Sequence, residues 1–326
     1  MSRRVLVLHT GGTLGMLGTP LEPGVYAQAL SERVPELDAI AELETEIVCN
    51  LDSSDVGPPE WTDVAAAIAR RRTEFDGFVV VHGTDTMAYT AAALAFSLTG
   101  LDRPVVLTGA QRPLAALRTD ARRNLQDAVE VATTDLPEVG ICFDGLLLRG
   151  CRAVKSDARS YRAFDTPGLE PLARFGFDIE VGRHVRRPTR PFSCDNRFDP
   201  RVAVLHLTPG LDPDMVRRVV DGGHLRGLVF AAYGVGTIPT RERAFGDAIR
   251  ATVDAGVDVL VVTQHGGIVD LGMYRNSQVL EAAGAIPGGK MRVEAAIPKL
   301  MHGLACFPDR VARRAYLEAD VAGERE

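Results

Sequence analysis

Seven short apolar runs, each closed by a turn signal, constrain this chain more than any other feature. They lie at 5–8, 47–51, 78–81, 105–107, 202–205, 228–231 and 257–262, and each reads as a strand buried on both faces. Between them the apolar period changes. Trp61, Val64, Ala65, Ile68 and Ala69 recur at spacings of three and four, as do Leu125, Ala128, Val129 and Ala132, which is the stripe of an amphipathic helix. Strand and helix alternate, so the pattern predicts an α/β fold with parallel sheets. At 326 residues, 46% hydrophobic and 25% charged, the chain is long enough for roughly two such domains. The break falls where Pro188, Pro191 and Pro200 flank Ser193, Asp195 and Asn196 and no period survives. We expect a larger N-terminal α/β domain over 1–187, with a mainly parallel sheet flanked by helices. A linker over 188–200 and a smaller C-terminal α/β domain over 201–326 follow.

Charge and cysteine usage exclude several classes of function. Acidic residues outnumber basic ones 43 to 37, for a net charge of −6, and a surface of that sign argues against nucleic acid or anionic lipid as a partner. The five cysteines, at 49, 142, 151, 194 and 306, form no C-x-x-C pair. Their odd number and wide spacing fit reduced thiols in a cytoplasmic protein better than a disulfide or zinc framework. The four apolar residues at 5–8 are too few for a signal-peptide core, and no run approaches the roughly 18 apolar residues of a membrane span.

In an open parallel sheet, ligands bind at the carboxyl ends of strands, and two turns there stand out. Thr10-Gly11-Gly12-Thr13 follows the first run, where paired glycines let the backbone turn sharply beside two hydroxyls. His82-Gly83-Thr84-Asp85-Thr86 follows the run at 78–81 and precedes a helical stretch over 87–98. Taken singly, either turn could serve only to cap a helix, since Thr and Asp are favoured at N-caps. No dinucleotide or phosphate-loop glycine pattern is present, nor a G-x-S-x-G elbow. No histidine has ligand spacing, so neither cofactor nor metal is expected.

Together with the stretches TGGTLGM at 10–16, LDSSD at 51–55, VVHGTDTMAYTAAAL at 80–94, LTGAQRPLAALRTDARRNLQDAV at 107–129 and YGVGT at 233–237, the two turns make a far more specific signal. Over nearly its whole length the chain resembles the bacterial-type L-asparaginase family, most closely its cytoplasmic, type I branch. The resemblance implies hydrolysis of L-asparagine to L-aspartate and ammonia, with glutaminase as a minor activity. It places the nucleophile at Thr13, to be acylated by the substrate, with Thr84, Asp85 and Lys155 completing the catalytic set and Thr10 structural. Asp52, Ser53, Ser54 and Asp85 would hold the α-carboxylate and α-ammonium groups, and the Ala110 N–H would meet the oxyanion. It also implies a homo-oligomer, a dimer or a dimer of dimers. Residue usage speaks for Lys155 independently, because the chain has only three lysines, at 155, 290 and 299, among 37 basic residues. A desolvated ammonium can lose its proton near neutrality, whereas a guanidinium cannot.

The chain departs from the family pattern in three places. The lid that carries a catalytic tyrosine is short and rich in Gly and Pro at 17–24, which leaves Tyr26 as its candidate. The residue after Tyr233-Gly234-Val235-Gly236 is Thr237 where asparagine is common. The positions of the effector-binding arginine and cysteine of the allosteric enzymes hold Ala231 and His265, which predicts weakened or absent effector control. Two other readings remain: a transamidation subunit, which usually carries an added N-terminal domain that the early position of Thr13 speaks against, and an amino-acid sensor that binds without turnover.

Overall fold

The computed structural model describes residues 2–17, 22–23, 33–240 and 244–326, and the chain divides into two compact units, Met1–Asn196 and Arg197–Glu326. The first unit is built on an eight-stranded sheet. Its strands are β1 (Arg4–Gly11), β2 (Glu42–Leu51), β3 (Gly77–Val81), β4 (Val105–Thr108), β5 (Val139–Phe143), β6 (Leu146–Arg149), β7 (Ala173–Phe175) and β8 (Ile179–Val181). Their spatial order is β8-β7-β6-β5-β4-β3-β1-β2. The five strands from β2 to β5 are parallel, and β6, β7 and β8 extend the sheet antiparallel. From β1 the chain steps to one side to form β2 and returns to the other to form β3. This puts a topological switch between β1 and β3, the crevice where such sheets bind ligands.

Three helices cross between the parallel strands: α1 (Pro58–Arg71), α2 (Met87–Ser97) and α3 (Ala121–Ala132). The α3 residues Ala121, Leu125, Ala128, Val129 and Ala132 join Val5, Val7, Val79, Val81 and Val106 in one buried cluster. At about 1.5–3 kcal/mol for each fully buried large aliphatic side chain, such a cluster holds the strands in register. The expectation of strands buried on both faces holds for the runs at 5–8, 78–81 and 105–107, in β1, β3 and β4. It fails for β2, none of whose residues is buried. β2 lies at the sheet edge, and its Glu44 and Glu46 pair with Arg71 and Arg70. The stretch expected to act as a linker begins as part of this unit, where Ser193–Cys194 pairs antiparallel with Leu98–Thr99.

The second unit has a parallel four-stranded sheet in sequential order, β9 (Val202–His206), β10 (Gly227–Ala232), β11 (Asp258–Thr263) and β12 (Ile286–Pro287). Its helices are α4 (Asp214–Val220), α5 (Ala244–Asp254), α6 (Arg275–Ala282), α7 (Val293–Cys306) and α8 (Arg310–Glu318). Phe230, Val259 and Val261 pack with Phe245, Ile249 and Leu280 in its core. β9, again an edge strand, has no buried residue. Among the described residues, no helix is long and apolar enough to cross a membrane.

Candidate active site

Four loops at the carboxyl ends of β1 to β4 meet with their backbones almost touching. Gly11 and Gly12 have φ of +111° and +90°, a region closed to most side chains. A Cβ on Gly11 would lie 2.1 Å from the Leu51 carbonyl oxygen, and one on Gly12 would lie 2.4 Å from the Gly83 nitrogen. A Cβ on Gly83 would meet the Ser53 side chain at 2.6 Å, and one on Gly109 the His82 oxygen at 2.2 Å. The glycines of the T-G-G-T and H-G-T-D-T motifs are therefore what bring the turns bearing Thr13 and Thr84 side by side. Thr10 donates its hydroxyl to the Val81 carbonyl at 2.9 Å, tying β1 to β3. Half-buried Thr13 follows in a single 3-10 turn over Thr13–Gly15.

The second turn is held from beneath by a histidine. His82 is fully buried, and its Nδ1 lies 2.7 Å from the Gly83 oxygen, an atom that can only accept. The proton therefore sits on Nδ1, and Nε2 accepts from Thr90 Oγ1 at 2.9 Å, which in turn accepts from Trp61 Nε1 at 3.0 Å. Burial pushes the His82 pKa down to about 4, so the ring is neutral and the network keeps one direction at ordinary pH. On the first turn, His9 Nδ1 accepts the Gly11 N–H at 3.0 Å, and burial lowers its pKa too.

Lys155 reaches this cluster from a two-residue antiparallel ladder, Val154–Lys155 with Phe164–Asp165. Its Nζ donates to Thr84 Oγ1 at 2.8 Å and to Asp85 Oδ1 at 2.5 Å. The Lys155 side chain is 17% exposed and that of Asp85 66%, so the ammonium is sheltered while the carboxylate faces solvent. Thr84 donates its own proton to Gln111 Oε1 at 3.1 Å. Ser53 joins the neighbouring loop, accepting the Asp85 N–H on Oγ at 3.3 Å and the Thr86 hydroxyl on its carbonyl at 2.5 Å. Asp52 turns to Ser54, accepting from its N–H at 2.9 Å and its hydroxyl at 2.7 Å, and these bonds lower the Asp52 pKa. Ala110 is buried directly after Gly109. Tyr26 lies outside the described residues.

Comparison with known proteins shows the family. The family model described as Asparaginase, N-terminal, matches residues 4–187, and that described as Glutaminase/Asparaginase C-terminal domain matches 201–317. The chain belongs to the asparaginase family. It is 34% identical to L-asparaginase 1 of Escherichia coli K12, over 99% of this chain and 98% of that one. L-asparaginase I of Vibrio cholerae superposes with a TM-score of 0.92 at 31% identity, over the whole of both chains. The thermostable L-asparaginase of Thermococcus kodakarensis gives 0.90 at 32%, over 99% of each.

In this asparaginase-family chain, the structure adds residues to which sequence reasoning gave no role. Gln111 bridges the site, accepting from Thr84 and donating its Nε2 to the Ser160 carbonyl at 3.0 Å. Asp120 precedes α3 but caps nothing. Its carboxylate instead accepts the Gln111 and Arg112 amides at 2.9 and 3.1 Å, and Asn124 Nδ2 at 3.1 Å. Asn124 also donates to the Gly109 carbonyl at 3.0 Å. The one available signal was Asp120 and Asn124 standing four apart at a helix start, a spacing that puts them on one face.

Proposed function

We propose that the protein is an L-asparagine amidohydrolase working through a threonyl ester. What carries this reading is the Lys155–Thr84–Asp85 cluster beside the Gly11–Gly12 turn, at the switch point of the sheet. A threonine hydroxyl is a poor nucleophile until a neighbour takes its proton. Thr84, bonded to Lys155 on one side and Gln111 on the other, lies one residue past the point where the two turns touch, as Thr13 does. Thr13 Oγ attacks the side-chain amide carbon, and the oxyanion forms against the Ala110 N–H, held by a turn that Asn124 and Asp120 brace. The Thr13 proton, taken up by the Thr84–Lys155–Asp85 set, passes to the amide nitrogen, the C–N bond breaks and ammonia leaves. A water activated by the Thr84–Lys155–Asp85 set then cleaves the ester and releases aspartate. Asp85, together with the Asp52–Ser53–Ser54 loop, receives the α-ammonium and α-carboxylate, and Tyr26 belongs to the lid. We further propose that the enzyme works without a cofactor, in the cytoplasm, as a homodimer or a dimer of dimers.

Glutamine differs from asparagine by one methylene, which a simple pocket discriminates by about 1–3 kcal/mol, so glutaminase is a minor activity. The test is ammonia release from each amino acid by the wild-type protein and by Thr13→Ala. We expect release from asparagine well above that from glutamine, lost in the variant. No release from either amino acid would sink the reading in favour of binding without turnover.

A further inference from the structure

A cavity of about 460 Å³ opens beside the reaction centre, lined by Gln111, Arg112, Arg118, Arg159 and Tyr161 among others. Its walls are two pinned loops. On one side, residues 111–120 close on themselves. Asp120 accepts the Gln111 and Arg112 amides, and the Thr119 hydroxyl donates to the Arg112 carbonyl at 3.0 Å. On the other side is the tip of the Lys155 hairpin, where Asp157 Oδ1 accepts the Arg159 and Ser160 amides at 2.6 and 2.8 Å. The Tyr161 hydroxyl donates to the Arg118 carbonyl, and Gln111 to that of Ser160, which joins the two walls.

This arrangement separates the charges. Both carboxylates in the walls are turned onto backbone amides. Asp157 feels Arg159 through space, but no guanidinium of Arg112, Arg118 or Arg159 forms an ion pair or side-chain hydrogen bond with a described residue. Three permanent positive charges thus border one cleft on preordered loops, in a protein whose net charge is −6. Guanidinium forks suit planar carboxylate and phosphate oxygens, and the volume is in the range of small-molecule sites.

We propose that this cleft binds a small polyanion, a molecule with clustered carboxylate or phosphate oxygens. Asparagine, a zwitterion without net charge, does not match three cations that have no ion-pair partner among the described residues. The site is therefore distinct from the one assigned to the reaction, although Gln111 borders both.

The test is calorimetry with citrate and with inorganic pyrophosphate at matched ionic strength, on the wild-type chain and on Arg118→Ala/Arg159→Ala. Saturable one-site binding is expected, weakened about tenfold or more in the double variant. Arg118→Lys/Arg159→Lys retains the charge and should recover part of the affinity, which separates loss of the site from misfolding. Tighter pyrophosphate points to a phosphate ester as the natural ligand, and tighter citrate to a polycarboxylate. Absence of saturable binding of both probes up to about 10 mM, or equal affinity in the alanine variant, overturns the proposal. Binding is read with no amino acid present, so its failure and that of the amidohydrolase reading are independent.

Discussion

Two of the chain's three lysines show how differently the two units use the same side chain. Lys155 sits partly exposed at the switch point of the first unit, between a hydroxyl and a solvent-facing carboxylate. Lys299, on α7 of the second unit, is wholly buried and bound to the Leu317 and Ala319 carbonyls and to the buried carboxylate of Glu324. Glu324 also accepts the Val321 and Ala322 amides, so that cluster closes on itself and fastens the last turns of the chain. Scarcity of lysine signals a reason in both places, but only at Lys155 is the partner left open to a ligand. The sheets differ in the same sense. The second unit's sequential strand order has no switch, and Gln264 stitches its strand ends together by donating to the Leu207 and Ala231 carbonyls at 2.6 and 2.8 Å. In the first unit the chain reverses between β1 and β3, and the loops there present hydroxyls.

If this contrast is right, the two lysines fail in opposite ways. Lys155→Met should lower kcat for asparagine by about a thousandfold while the melting temperature stays near that of the wild type. A variant that kept most of its turnover would erase the distinction. Lys299→Met leaves Glu324 buried without its cation and should destabilise the fold by about 3–5 kcal/mol in denaturant titration. Ammonia release per folded molecule should be preserved.

Smaller changes sharpen the comparison. Asp120→Ala strips two amides and Asn124 of their acceptor, for which we expect about 2 kcal/mol of lost stability. Because Gln111 and Ala110 shift with the turn, kcat should fall more than KM rises. The least effect falls on Asp127 of α3. Burial raises the Asp127 carboxyl to about 6, so its ionisation opposes folding. The cost is absent below the ordinary value near 3.8, grows as pH rises toward 6 and is complete above it. Asp127→Asn should therefore add about 1 kcal/mol at pH 8, a figure reduced for its partial solvent contact. Near pH 4 it should add almost nothing, and thermal melts at the two pH values compare the cases.

The sequence showed the frame of the molecule more clearly than its bracing. Of the expected stripe, Trp61, Val64, Ala65 and Ile68 are buried on α1 while Ala69 is half-buried, and the run at 78–81 is fully buried in β3. The edge strands were harder to read. β2 begins at Glu42, and its glutamates mask the strand because they face solvent and arginines instead of a core. β7 and β8 span three residues each, too few for a period to register. At the site, Thr84, Asp85 and Lys155 were legible through a family resemblance, and their mutual contact is a matter of folding. Gln111 and Asp120 were not, because much of their work falls on backbone atoms of Ser160, Gln111 and Arg112, and main-chain partners leave no mark in residue identity.

The most direct test of the account is to quench the wild-type protein while it turns over asparagine and to map its peptides by mass. The account predicts an aspartyl ester on Thr13 that is absent in Thr13→Ala. Ammonia release accompanied by an adduct on another residue would contradict it.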